Sequence, residues 1–270
     1  MAVALVLALV AIGSVAFHLL SPWWWTPIAS NWEYIDNTIL ITFWITGIVF
    51  VAVVFFMAYC IVRFRHREGV RADYEPENQK LEAWLAGGTA LGVAAMLAPG
   101  LVVWYQYVTV PEGASVVEVV GQQWSWAYRF PGPDGKLGMT DARYVGPNNP
   151  LGLNRKDPNG ADDVIVDGGD LHLPRGGPIK VLLRSLDVLH DFYVPEFRAK
   201  MDMIPGTVTY FWLTPTRDGT FDILCAEYCG TGHANMRGVV VVEDAAKQKA
   251  WLSQQKSFAS RPAPELADAR

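Results

Sequence analysis

The chain falls into two kinds of pattern. Its first 111 residues hold three stretches without Asp, Glu, Lys or Arg, at 2–32, 37–62 and 83–111, and the remainder breaks into short β-prone runs. A helix needs about 20 apolar residues to cross a bilayer. The second and third stretches exceed that, which predicts membrane helices at about 38–62 and 82–107. The second is rich in Ile, Val and Phe and stops at Arg63, Arg65 and Arg67. The third contains Gly87, Gly88, Gly92 and the Pro99–Gly100 pair, which a membrane helix tolerates when neighbours pack on it. Trp104, Tyr105 and Tyr107 follow, as an interfacial aromatic belt would. The first stretch reads in two ways. Small residues at Ser14-Val15-Ala16 suit a cleaved signal, but no Lys or Arg precedes the apolar run. A retained third helix is therefore the expectation, with Pro22-Trp23-Trp24-Trp25 at the outer interface.

The linker from Arg63 to Glu82 holds five Lys/Arg, whereas residues 1–62 hold none. The positive-inside rule puts that linker in the cytoplasm and everything after Val110 on the outer side. From Ser115 onward, runs such as Ser115–Val120, Gln123–Phe130, Ile179–Leu183, Thr207–Leu213, Thr220–Leu224 and Arg237–Val242 are separated by Gly, Pro, Asn and Asp clusters. Several short strands at such spacing predict a β-sandwich or barrel. Pro131 to Asp163 reads as an insertion loop, with a turn at Asp157-Pro158-Asn159-Gly160, and Ala245 to Lys256 as a polar surface helix. The expected organisation is a membrane-anchored all-β protein. Residues 1–21 form an extra transmembrane helix or signal-like segment, 22–111 a transmembrane hairpin, and 112–270 an outer β domain.

Composition agrees with this division. Charged residues make up 18% of the 270, below the roughly 25% usual in soluble domains. A net charge of −5 argues against nucleic acid as a partner. Three cysteines are too few for a disulfide scaffold. Cys60 lies mid-helix and reads as packing.

The chemistry concentrates in Cys225-Ala226-Glu227-Tyr228-Cys229-Gly230-Thr231-Gly232-His233-Ala234-Asn235-Met236, with His190 upstream just after a strand. His190, Cys229, His233 and Met236 make two imidazoles, a thiolate and a thioether, the donor set of a blue-copper site. Cys225 supplies a second thiolate, and two thiolates can bridge two copper ions. Each ion is then completed by one His and one weaker donor, with the Glu227 carbonyl placed to serve. The bland alternative is a Cys225–Cys229 disulfide in an oxidising compartment.

These residues resemble subunit II of the haem–copper cytochrome c oxidases. The likeness rests on His190 in Asp187-Val188-Leu189-His190, on Pro195, Lys200, Asp202 and Pro205-Gly206, and on the run from Cys225 to Met236. It spans roughly residues 35–255. It implies a cupredoxin domain whose binuclear copper A centre is bridged by Cys225 and Cys229, bound by His190 and His233, and completed by Met236 and the Glu227 carbonyl. It also implies a magnesium or manganese ion at the Glu227 carboxylate, facing subunit I. Gly121-Gln122-Gln123-Trp124-Ser125-Trp126 resembles the family's electron-accepting segment, with Trp124 as the residue that receives the electron. Gln122 and Ser125 depart from it, standing where His and Tyr are frequent. Strand alternation would put Trp124 and Trp126 on one face.

Glu82 matches a carboxylate often found at the mouth of a proton channel in subunit I. The plainer reading is a carboxylate stabilising a helix N-terminus. Asp162, Asp163, Asp167, Asp170 and Asp187 suggest an acidic outer surface that would steer a basic cytochrome c. The resemblance thus implies haem-bearing subunit I and other oxidase subunits as partners, cytochrome c as donor, oxygen reduction coupled to proton translocation, and residence in a bacterial inner membrane with a periplasmic C-terminal domain. The alternatives are the copper A subunit of a related nitric oxide reductase and a membrane-anchored copper delivery protein.

Overall fold

A computed structural model describes residues 1–21, 26–71, 74, 76–146 and 148–261. The expected interfacial run Pro22–Trp25 lies outside the described residues. Three helices, α1 (Ala2–Leu20), α2 (Glu33–Arg63) and α3 (Gln79–Val108), are each long and apolar enough to cross a membrane. Both α2 and α3 begin before their charge-free runs, and carboxylates suit the positive N-terminal end of each: Glu33 and Asp36 in α2, Glu82 in the first turn of α3. Asn78 caps α3, its Oδ1 accepting from Leu81 N–H at 3.1 Å. Along α2, the hydroxyls of Thr38, Thr42 and Thr46 each donate to a carbonyl one turn back, which satisfies them without water. Met1–Thr26 with Tyr34–Trp104 form one compact unit, and Pro27–Glu33 with Tyr105–Arg270 form a second.

The second unit is a β-sandwich of two five-stranded sheets. The first is built from β1 (Ser115–Gln122), β2 (Ser125–Phe130), β3 (Val164–Asp167), β5 (Ile179–Ser185) and β8 (Thr209–Leu213), in the order β3-β2-β1-β5-β8. The other runs β4-β10-β9-β6-β7. Its members are β4 (Leu171–Pro174), β6 (His190–Val194), β7 (Ala199–Met203), β9 (Gly219–Cys225) and β10 (Arg237–Glu243). Helix α4 (Pro158–Ala161) lies in the insertion and α5 (Ala245–Ser253) follows β10. In β5 buried and half-buried residues alternate, as expected of a strand with one face on the core.

Strand β1 is buried on both faces along its centre. The reason is the 131–163 insertion. Leu151 and Leu153 from it, with Phe258 from the C-terminal segment, cover Val120, Ala127 and Ile165. Glu118 shares the Val120 face and is closed over too. It pairs with Arg129 at 2.7 Å, and Arg129 reaches Asp163 at 2.7 Å. A charge that reads as solvent-facing in the strand pattern is therefore inside. Four strands outside the expected set, β3, β4, β6 and β7, are either four residues long or interrupted by charge, which hides their periodicity.

Candidate metal centre

The hairpin that carries the chemistry joins β9 to β10. Cys225 ends β9, and Arg237 opens β10. Cys225 N–H donates to Met236 O at 3.2 Å, and Ala226 N–H to Asp191 O at 3.2 Å, which ties the loop base to β6. His190 is the first residue of β6 rather than a loop residue. Antiparallel pairing of β6 with β9, with Phe192 opposite Cys225, brings it to the cysteines.

The donor atoms form a continuous chain. His190 Nδ1 lies 3.9 Å from Cys225 Sγ, and Cys225 Sγ lies 3.7 Å from Cys229 Sγ. Cys229 Sγ is 3.6 Å from His233 Nδ1 and 3.7 Å from Met236 Sδ. The Glu227 carbonyl accepts from Cys225 Sγ at 3.2 Å. His190 is fully buried, and Cys225, Cys229 and Met236 are buried with it. Both thiols are free, and their separation is far beyond a disulfide bond of about 2.05 Å. Burial, and the Cys225 thiol beside it, push the Cys229 thiol up to about 11. Without a cation beside it, the Cys229 sulfur is held as the thiol. A soft cation would remove that penalty, and two thiolates, two imidazoles, a thioether and a carbonyl are donors that copper accepts. The residues present therefore fit the expected metal.

Trp124 lies on this loop. Gln122 pairs with Ser125 across the β1–β2 hairpin, so Gln123 and Trp124 are its two turn residues. Strand alternation ends there, and the expected common face is not formed. Trp126 is buried while Trp124 is 40% exposed. The Trp124 indole N–H donates to Cys229 O at 3.3 Å, and the Gln123 amide donates to the same carbonyl at 2.8 Å. Gly232 passes directly beneath the ring, where a Cβ would overlap it.

Residues 115–244 match the family described as cytochrome c oxidase subunit II, periplasmic domain. The alternative cytochrome c oxidase subunit 2 of Bradyrhizobium diazoefficiens is 68% identical over 96% of this chain and 94% of its own length. The chain belongs to the cytochrome c oxidase subunit II family. The cytochrome c oxidase subunit 2 of Cereibacter sphaeroides is 28% identical over 85% of this chain and 77% of its own. Among solved structures, the periplasmic domain of subunit II (CoxB) of Bradyrhizobium japonicum aligns with 54% of this chain and 95% of its own, at 26% identity and a TM-score of 0.40. As a subunit II, the chain is part of an oxidoreductase complex, anchored by apolar N-terminal helices and carrying an outer β-sandwich domain.

The remaining candidate residues of this subunit II are scattered. Glu82 sits exposed in the first turn of α3, in the helical unit. The expected acidic surface is only partly there. Asp163 is fully buried on Arg129, whereas Asp187 stays exposed although both its carboxylate oxygens accept hydrogen bonds within the domain. Asp162 is half-buried and accepts from Asp134 N–H at 3.3 Å, while Asp167 and Asp170 are exposed. A carboxylate absent from the candidate set also lies at the site. Asp191 is buried beside His190, and burial, with Asp202 hydrogen-bonded to it and Glu227 near, pushes its carboxyl up to about 7. Its position next to His190 was the available signal.

Proposed function

We propose that this subunit II accepts electrons one at a time from a cytochrome c and passes them to haem in subunit I, where oxygen is reduced to water with proton translocation across a bacterial inner membrane. His190, Cys225, Glu227, Cys229, His233 and Met236 would hold two copper ions, the Glu227 donor being its carbonyl. Held by Cys225 and Cys229 together, a copper pair would supply one-electron transfer with little change in bond lengths. The observation that carries this reading is the buried chain of donors from His190 Nδ1 to Met236 Sδ, each 3.6–3.9 Å from the next. Burial of the thiols and of His190 favours a fixed relay over copper delivery, which needs exposed and exchangeable ligands.

Trp124 is the proposed electron acceptor at the surface, since its ring is exposed on one side and bonded to the Cys229 carbonyl on the other. Glu82 is proposed at a proton path into subunit I. A magnesium or manganese ion is proposed at the Glu227 carboxylate, facing subunit I. Asp191, Asp202 and Glu227 gather negative charge there, and hard divalent cations take carboxylate oxygens. Retention of α1 as a membrane helix belongs to the same proposal.

Metal analysis and electron paramagnetic resonance of the full-length protein test the reading. Two coppers per chain and a signal shared between two nuclei are expected. Cys225→Ser should lose the shared state and keep at most one copper. A single copper of blue-site spectrum in the unmutated chain would overturn the assignment.

A further inference from the structure

The connection between α2 and α3 carries a pattern that the copper chemistry does not use. It opens with Arg63-Phe64-Arg65-His66-Arg67-Glu68-Gly69-Val70-Arg71, four Arg against one Glu, a net +3, with no Lys. The other carboxylates before α3 and in its first turn, Asp73, Glu75, Glu77 and Glu82, all come later. Charge is thus segregated, with the cationic half next to the end of α2. A crossing by α3 to an outer domain leaves this connection on the opposite, cytoplasmic face.

Local backbone geometry keeps the cationic half near the helix. Helix α2 ends at Arg63, and Phe64 N–H still donates to Cys60 O at 2.9 Å, so both residues stand on its last turn. Val70 N–H then donates to Arg67 O at 3.2 Å, closing a tight turn that Gly69 permits with φ 78°. The chain therefore reverses close to the membrane face instead of running away from it. All four Arg are exposed, and among the described residues none pairs with a carboxylate. Apolar side chains interleave with them: Phe64 is 72% exposed, Val70 65% and Tyr74 89%. The Arg63 guanidinium lies 5.4 Å from the centroid of the Phe64 ring.

Two features select the partner. Orientation in a membrane needs only positive charge, which Lys supplies as well as Arg. An all-Arg set adds planar guanidinium groups that donate two parallel hydrogen bonds to a phosphate, where a Lys ammonium acts as a point charge. Exposed aromatic rings between the cations suit the headgroup region, where an amphipathic side chain has its apolar part toward the acyl chains and its polar part in water. A basic run directly cytoplasmic of a membrane helix fits an anionic lipid surface.

We propose that Arg65, Arg67 and Arg71, with Phe64 beside them, form a binding surface for anionic phospholipid headgroups of the cytoplasmic leaflet. The surface is independent of the copper site, so lipid is held whether or not metal is loaded. Native mass spectrometry of the full-length chain, released from micelles holding equal phosphatidylglycerol and phosphatidylcholine, tests it. The unmutated chain should retain phosphatidylglycerol preferentially. Arg65→Gln, Arg67→Gln and Arg71→Gln should each lower the ratio of the two lipids by about fivefold, and the triple variant should abolish the preference. Arg63 and Lys80 stay in place to hold the orientation. Phe64→Ala should lower retention of both lipids and leave their ratio unchanged. Inorganic phosphate should displace the lipid no better than chloride of equal ionic strength, whereas specific displacement would make this a site for free phosphate and overturn the proposal. Protease cleavage of the connection in vesicles checks orientation, and should the triple variant insert the wrong way round, the three single variants carry the test. Equal retention of both lipids by the unmutated chain, or a ratio that no Arg substitution moves, would reduce the run to an orientation signal and overturn the proposal.

Discussion

Gly232→Ala isolates how Trp124 is held. Gly232 has φ −88°, which any residue adopts, so the substitution introduces no backbone strain and acts by volume alone. The added Cβ would overlap Trp124 Cδ2 and lie 2.7 Å from Cε3 and Cγ, where ordinary contact is 3.4–4 Å. The ring must retreat by roughly 1 Å to restore contact, because repulsion rises steeply inside the van der Waals minimum. Its N–H is bonded to Cys229 O at 3.3 Å, so retreat breaks a bond already at the long end of the range. Overpacking of this kind costs about 1–3 kcal/mol. For a domain of this size that lowers Tm by about 2–4 °C per kcal/mol. If the clash with the indole is the whole cost, it vanishes once the indole is gone. Gly232→Ala should then be nearly neutral in a Trp124→Ala background, and the double-mutant cycle should return a coupling of about 1–3 kcal/mol. Thermal unfolding of the full-length chain in detergent, followed by far-ultraviolet circular dichroism, reads all four corners. Additivity within about 0.5 kcal/mol would refute the packing described here. The same Gly232→Ala protein should take up electrons more slowly while its copper spectrum stays normal.

The buried charge cluster makes a second prediction. Arg129→Met should cost about 3–5 kcal/mol, because it breaks two buried ion pairs, leaving Asp163 without a cation and Glu118 with Arg184 alone; a loss below about 1 kcal/mol in denaturant titration would show the carboxylates finding water. Burial raises the Glu118 carboxyl, but Arg129 and Arg184 outweigh it and hold the group below its ordinary 4.5. Its stabilisation is therefore full above that pH and lost as pH falls through the lower folded value, and Glu118→Gln should flatten the acid limb of the stability curve. The third prediction concerns the donor: the second-order rate with a basic cytochrome c should fall as salt rises, since the screening length shortens to about 8 Å at 0.15 M. Asp167→Asn with Asp170→Asn should weaken that dependence, and a rate independent of salt would remove electrostatic steering.

Three features of the chain were legible without coordinates because each is local. A charge-free run longer than a bilayer has one economical use, and α2 and α3 contain the two runs that met that length. The donors from Cys225 to Met236 sit on one hairpin loop, so their spacing in sequence is their spacing in space. His190 and Trp124 were legible through the family pattern around them, although their route into the site was not.

Long-range pairing decided the rest. His190 reaches Cys225 across 35 residues because β6 lies beside β9, and β6 itself was hidden by the His190-Asp191 pair that opens it. Trp124 and Trp126 part company because a two-residue turn falls between β1 and β2, which alternation along a single strand cannot foresee. Asp163 read as a surface charge, yet the insertion closes over it, Glu118 and Arg129, and these groups are solvated by one another, by Arg184 and by the Gly138 backbone. Asp187 stays exposed, yet only the folded chain supplies the His190 and Gln123 partners of its two oxygens. Composition and spacing determine which chemistry a segment can perform. Tertiary structure determines which groups lose water together, and burial sets whether a charge serves the surface or the site.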